Sequence, residues 1–249
     1  MKTYFILSDI HGFYCEMEKA LNEVEFDKTN KNHIIILCGD AFDRGSQNVD
    51  VYNFFLNLQK QERLIYIRGN HEDLILSLIN NLTKRETIPF NHISNGTLDT
   101  ISQFTNISIP DLIIGNYNVN KLKQLLKPLI KFINSSINYY QLKDYVFVHG
   151  WVPYVFDQVT LNASEYDWRQ ARWQNGMSMW KQGFTIPNKT IVCGHWNSSF
   201  GNYHYHNKGF DEWSQDSDHE IFIDKGIIAL DGSVALSHKV NVFIIKEDE

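Results

Sequence analysis

The run His33-Ile34-Ile35-Ile36-Leu37-Cys38 leaves this chain few folds to choose from. An unbroken apolar run of that kind reads as a strand covered on both faces, the mark of a sheet held between other layers. It stops at Gly39-Asp40. Two similar runs, Thr3-Tyr4-Phe5-Ile6-Leu7-Ser8 and Leu64-Ile65-Tyr66-Ile67, stop at Asp9 and at Arg68-Gly69-Asn70. The intervening stretches carry helical apolar spacing: Met17, Ala20, Leu21 and Val24 within about 13–25, and Val49, Tyr52, Phe55 and Leu56 within 49–60. Strand, helix, strand, helix, strand predicts an α/β fold. In such sheets ligands bind beyond the carboxyl ends of the strands, where these polar residues fall.

The pattern changes at about 72–142, which reads as a mostly helical insertion. It has an apolar helix at 73–82, a turn at Ser94-Asn95-Gly96-Thr97, and a second helix at 119–133 built on Val119, Leu122, Leu125, Leu126, Leu129, Ile130 and Ile133. Strands resume at Tyr145–Val148, ending at His149-Gly150, and at Thr190–Cys193, ending at Gly194-His195. The segment 197–225 is polar and aromatic and reads as a long surface loop, with His204, His206 and His219 as solvated loop histidines. The runs 226–230, 233–237 and 240–245 read as a β-meander. One domain over 1–249 is expected.

The formal net charge of -6 argues against a sequence-independent nucleic-acid binder, which shows a basic patch or stripe. Cys15, Cys38 and Cys193 form no CxxC pair and read as small buried hydrophobes rather than disulfides or a zinc site. Tyr4-Phe5-Ile6-Leu7 is cut short by Asp9, too early for a signal-peptide core, and no run approaches the ~18 apolar residues of a membrane span. A cytoplasmic protein with no membrane partner is the expectation.

The strand ends carry the chemistry. If the extended backbone persists past the first strand, Asp9 and His11 point to one side and converge on one cation. Asp40 could bridge that cation and a second one, for which Asn70, His149 and His195 supply an amide oxygen and two imidazoles. Mixed oxygen and nitrogen donors suit manganese, iron, zinc, cobalt or nickel. Two such ions ~3.5–4 Å apart clamp an in-line displacement at phosphorus. His71 can protonate a leaving oxygen, Asp43 is the carboxylate that would raise its pKa, and Arg44 offers a planar fork to phosphate.

Taken together, Asp9-Ile10-His11, Gly39-Asp40-Ala41-Phe42-Asp43-Arg44-Gly45, Arg68-Gly69-Asn70-His71-Glu72, His149-Gly150 and Gly194-His195 resemble the motifs of the calcineurin-like metallophosphoesterases. The closest likeness is to the phosphoprotein phosphatase branch, with its bacterial and phage Ser/Thr phosphatases and symmetrical diadenosine tetraphosphate hydrolases. The resemblance implies a four-layer α/β/β/α sandwich and two divalent metal ions, manganese first among them. It implies that Asp9 and His11 hold one ion, that Asn70, His149 and His195 hold the other, and that Asp40 bridges. Hydroxide between the ions would attack phosphorus, with His71 as general acid, Asp43 as its partner, and Arg44 and Asn70 contacting substrate. A second phosphate-binding arginine lies between the last two metal histidines in the family. Arg172 is preferred here over Arg169, being midway between His149 and His195.

The implied substrate is a phosphorylated protein or small phosphoester cleaved as a Ser/Thr phosphatase would. The alternative is symmetrical cleavage of bis(5'-nucleosyl) tetraphosphates. A nucleic-acid phosphatase or phosphodiesterase and a non-catalytic binding module rank below both. The sequence departs from the family at Trp196-Asn197, where many members have Thr-Pro. Trp151, Trp173 or Trp196 facing the metals would favour a nucleotide, and an open shallow groove a phosphoprotein.

Overall fold

The computed structural model describes residues 1–247. Its first half follows the α/β reading: β1 (Lys2–Leu7), α1 (Tyr14–Glu23), β2 (His33–Cys38), α2 (Asn48–Lys60) and β3 (Leu64–Ile67). The three strands pair in parallel, β1 with β2 and β2 with β3. Alternation along β1 explains its unbroken apolarity. Phe5 and Leu7 pack under α1 and α2, while Tyr4 and Ile6 face the opposite side into a second apolar cluster.

That opposite side is covered by a second sheet. The chain reaches it through α3 (Asn70–Lys84), α4 (Phe90–Ser94), α5 (Thr97–Thr105), α6 (Ile109–Ile114) and α7 (Val119–Ile133). These helices bury Leu98, Ile101, Leu112, Leu122, Leu126, Leu129 and Phe132 in the same cluster as α1 and α2, so the insertion thickens the outer helical layer. Then come β4 (Tyr140–Leu142), β5 (Tyr145–Phe147), a small hairpin of β6 (Tyr154–Val155) and β7 (Gln158–Val159), α8 (Glu165–Ala171), α9 (Gly176–Lys181) and β8 (Thr190–Cys193). The chain ends its described part with α10 (Ser198–His206), β9 (Phe222–Asp224), β10 (Ile227–Ala229), α11 (Val234–Ser237) and β11 (Phe243–Glu247).

The second sheet runs β4-β5-β8-β10-β9, with β5, β8 and β10 parallel. Phe147, Val192 and Ile228 face Ile36, Cys38 and Ile67 of the first sheet. Val146, Ile191 and Ile227 face outward onto Trp168, Met177 and Phe222. The layers are therefore helix, sheet, sheet, helix.

Several expectations need correction. The segment 197–225 is not a loop throughout: it contains α10 and β9. The buried face of α10 is Ser198, Ser199, Gly201 and Asn202, so it shows no apolar stripe. Those side chains bond carbonyls of the connection that follows. Ser198 and Ser199 donate to His219 and Glu212 (3.2 and 2.9 Å), and Asn202 donates to Asp218 and Glu220 (3.1 and 2.9 Å). His219 is buried rather than solvated, and His204 and His206 pair with Glu212 and Asp224. The meander is also absent. Residues 234–237 form the turn of helix α11, and β11 leaves its neighbours to pair antiparallel with β1 in the first sheet. Of the cysteines, Cys38 and Cys193 are buried as expected, but Cys15 is exposed.

Candidate metal and acid–base site

The strand ends of both sheets meet at Asp40. Two groups of donors could hold a metal ion, His11-Asp40-His71 and Asp40-His149-His195, and Asp40 belongs to both. His11 Nε2 lies 3.7 Å and His71 Nε2 3.9 Å from Asp40 Oδ2, while His149 Nε2 lies 3.3 Å from Asp40 Oδ1. Asp9 Oδ1 is 3.9 Å from His11 Nε2, and Asn70 Oδ1 is 2.7 Å from His149 Nε2.

The convergence of Asp9 and His11 is real, but its cause differs from the expected one. The backbone does not stay extended: Asp9 and His11 have φ of 54° and 48°. Left-handed residues of this kind are uncommon outside glycine, asparagine and aspartate, and at functional sites the surrounding structure must hold them. Here His11 N–H donates to Asp40 O (3.0 Å) and Gly12 N–H to Ala41 O (2.9 Å), which lock the turn against the β2 exit. From the other sheet, His195 N–H donates to Asp9 Oδ2 at 2.9 Å. Gly194 permits that approach, since a Cβ there would stand 2.1 Å from the same oxygen.

The donor set fits divalent cations. Asp9 Oδ1 is buried and has no hydrogen-bond partner among the described residues. His11 Nδ1 faces Phe42 O (3.0 Å) and His149 Nδ1 faces Cys38 O (2.8 Å). An imidazole that donates from one nitrogen to a carbonyl presents the other as a lone pair, as metal-ligating histidines do. Burial drives the His195 pKa down to about 3, and burial with nearby Arg44 holds His11 well below its usual value, so both rings are neutral. Burial alone would push the Asp40 carboxyl up, but His149 and His71 outweigh it and hold it well below the carboxylate range. In return Asp40 overcomes burial at His149 and raises that ring to about 10, so its Nε2 carries a proton toward Asn70 Oδ1 and Asp40 Oδ1, the position a cation would take instead. Burial and the neighbouring Asp231 raise Asp9. Buried carboxylates with such needs are satisfied by protons or by cations.

Beside this cluster stands a His–Asp pair. His71 Nδ1 donates to Asp43 Oδ2 at 2.8 Å. Burial would depress His71, but Asp40 and Asp43 prevail and raise it. Its Nε2 is 3.4 Å from Arg44 Nη2, on an exposed side chain.

A model of the calcineurin-like phosphoesterase family matches residues 2–223. The chain belongs to this family. A symmetrical bis(5'-nucleosyl)-tetraphosphatase of Buchnera aphidicola is 31% identical over 102 residues, 36% of this chain and 35% of that protein. Shewanella-like protein phosphatase 1 of Plasmodium berghei is 28% identical over 167 residues, 63% of this chain and 41% of its own length. The chain thus spans less than half of these relatives. The crystal structure of a cold-active protein-tyrosine phosphatase from a psychrophilic Shewanella superposes with a TM-score of 0.59 at 18% identity, over 99% of this chain and 76% of that one. That likeness concerns the fold alone.

Within this calcineurin-like chain the two candidate arginines part company. Arg172, the preferred one, is 2% exposed. It donates to Asp73 (2.6 Å), to Glu165 (2.9 Å) and to Asn138, which ties α8 to α3 and neutralises it. The Arg172 guanidinium is thus buried and engaged by protein partners. Arg169, one turn earlier, is 59% exposed and lines a cavity of about 510 Å³ with Asn70, Asp73, Ser77, Asn80 and Trp173. Trp173 is half-exposed and sits edge-on to His195, 5.8 Å between ring centres. Trp151 is buried and donates to Phe184 O. Trp196 also lies against His195, 6.1 Å between ring centres, with its indole nitrogen buried.

Sequence reading passed over two further carboxylates. Glu72 is fully buried and accepts from the backbone N–H groups of Gly69 (2.7 Å), Asp40 (3.0 Å) and Ala41 (3.0 Å), pinning the β2 and β3 exits together. As the third residue of α3 it has the position of a capping-box glutamate, a signal legible in the sequence. Asp231 is buried near Asp9 and follows the apolar run 226–230. The strand-end rule that flagged Asp9 and Asp40 applies to it equally.

Proposed function

We propose that this chain is a dinuclear-metal-dependent phosphohydrolase acting as a phosphomonoesterase of the Ser/Thr protein phosphatase type. The observation that carries this is the shared Asp40: one buried carboxylate lies between two three-residue donor groups, with a His–Asp pair against it. In this reading Asp9, His11 and Asp40 hold one divalent ion, and Asp40, Asn70, His149 and His195 the other. Manganese is the first expectation. Such ions would supply Lewis acidity and a nucleophile at neutral pH.

The chain's own groups do the rest. Arg44 receives a phosphoryl oxygen on its exposed fork, and Arg169 replaces Arg172 as the second cation at the cleft. Asp43 accepts from His71 Nδ1, which leaves Nε2 to carry a proton to the leaving oxygen. Burial works against that proton, and the Asp40 and Asp43 carboxylates outweigh it.

A second reading, cleavage of dinucleoside tetraphosphates, is favoured by one observation. Trp173 presents a half-exposed ring beside His195 at the edge of the Arg169 cavity, where a base could stack.

Purified full chain loaded with Mn²⁺ is expected to hydrolyse p-nitrophenyl phosphate and to lose that activity in Asp40→Asn. Full activity in Asp40→Asn would refute the shared-carboxylate account. Parallel turnover of a phosphothreonine peptide and diadenosine tetraphosphate separates the two readings, the first being expected to turn over faster. A cytoplasmic site of action belongs to the same proposal; no helix among the described residues is long and apolar enough to cross a membrane.

A further inference from the structure

Helix α5 of the insertion lays one face on the loop that carries Asp43 and Arg44. Thr97, Thr100 and Gln103 recur at the three-residue spacing that shares a helix side. Thr97 Oγ1 donates to Asp43 Oδ2 (3.1 Å) and Thr100 Oγ1 to Asp43 Oδ1 (2.6 Å). Gln103 donates to Gly45 O (3.1 Å) and accepts from Asn48 N–H (2.9 Å). Gly96, at the N-cap of α5 with φ of 76°, sits so close to Arg44 that a Cβ would stand 2.5 Å from its backbone nitrogen.

The loop needs such support. Asp43 and Arg44 are consecutive left-handed residues, φ 75° and 64°. Both threonines are fully buried, so their hydroxyls have no water to prefer. In a helix a threonine hydroxyl ordinarily bonds back to the preceding turn. Thr100 reaches Gly96 O only at 3.5 Å and Asp43 at 2.6 Å, so it is turned toward the carboxylate. Asp43 Oδ2 also accepts from His71 Nδ1, and the three donors together occupy both oxygens. Among the described residues no strand of either sheet contributes a side-chain bond to that carboxylate.

We propose that Thr97 and Thr100 are positioning residues: the insertion fixes the Asp43 carboxylate, and through it the ring of His71, so that the leaving-group proton is delivered along one line. This rests on His71 being the general acid. A threonine that merely satisfied a buried charge would affect stability alone, whereas a positioning threonine affects substrates according to their need for a proton.

The test compares wild type, Thr97→Val/Thr100→Val and Thr100→Ser as Mn²⁺-loaded full chains on phenyl phosphate and 2,4-dinitrophenyl phosphate. The second leaving group departs without protonation. The double variant is expected to lose about 30-fold in kcat on phenyl phosphate, part of the roughly 10²–10⁴ that a general acid supplies. It should stay within about threefold of wild type on the dinitrophenyl ester, with KM unchanged on both. Thr100→Ser, which keeps the hydroxyl, should retain the wild-type ratio. In metal-free protein the His71 Nδ1 proton, held by Asp43, should give a resolved NMR signal that the double variant loses. An equal fall on both esters, or none on either, from an active wild type would overturn the proposal. A wild type inactive on both would instead overturn the phosphohydrolase reading, and this inference with it.

Discussion

The two sheets contribute to the site in different ways. The β1–β2–β3 exits supply Asp9, His11, Asp40, Asn70 and His71, and they brace one another through backbone bonds and through Glu72. Of the proposed metal donors, the second sheet supplies His149 and His195, and both lean on the first. His149 donates to Cys38 O, and the His195 N–H donates to Asp9. One half is therefore a self-supporting scaffold, and the other closes it with two imidazoles.

The largest break in this comparison is at Asp40. Asp40→Asn should lose both bound ions by elemental analysis and drop kcat/KM by roughly 10³-fold or more, since metal-assisted charge stabilisation is the main source of rate. His195→Asn should lose one ion and keep the other. Equal stoichiometry in the two variants would contradict a shared carboxylate. Next comes Glu72→Ala, which strands three backbone N–H groups inside the first-sheet half. It should cost about 3 kcal/mol or more in a urea titration, at the desolvation penalty of unpaired buried donors.

Arg172 and Arg169 give a sharper test because they differ by one helical turn. Arg172→Ala leaves Asp73 without its near partner and should destabilise by about 3 kcal/mol, with kcat/KM of the surviving enzyme little changed. Arg169→Ala should leave the melting curve within about 0.5 kcal/mol and lower kcat/KM by about tenfold. The reverse pattern would return the substrate role to Arg172.

The smallest effect concerns Tyr4, whose hydroxyl donates to Glu247. Burial and that carboxylate push its pKa up to about 12. The unfolded chain loses this proton near the ordinary value of about 10. The fold retains it until about 12, so stability should decline as pH rises through that window. Tyr4→Phe should flatten the decline, read by denaturant midpoints across the same pH range.

The legible parts of the sequence were those where chemistry and burial change together. Apolar runs stopping at Asp9, Asp40, Asn70, His149 and His195 located the strands and the side chains that gather around Asp40, and the apolar period of 119–133 matches α7 at both ends. The illegible parts are polar surfaces that are nevertheless buried. The Ser198–Asn202 face of α10 and the Thr97–Gln103 face of α5 have the composition of solvated faces, and only tertiary contacts show them bonding carbonyls and a carboxylate. The surroundings of Arg172 were hidden for a related reason. Its position between two histidines says nothing of the Asp73 and Glu165 that claim it.

The antiparallel pairing of β11 with β1 has a kinetic consequence. It joins residues as far apart as Lys2 and Glu247, and the Tyr4 hydroxyl bonds Glu247 across 243 positions of chain. Contacts of such separation form slowly, because loop closure must precede any gain from pairing. Until β11 arrives, β1 exposes an unpaired apolar edge, a template for the wrong partner. The strand that delivers Asp9 is thus the one that completes its pairing last. Refolding at high protein concentration should divert chains at this edge, before the metal site has assembled.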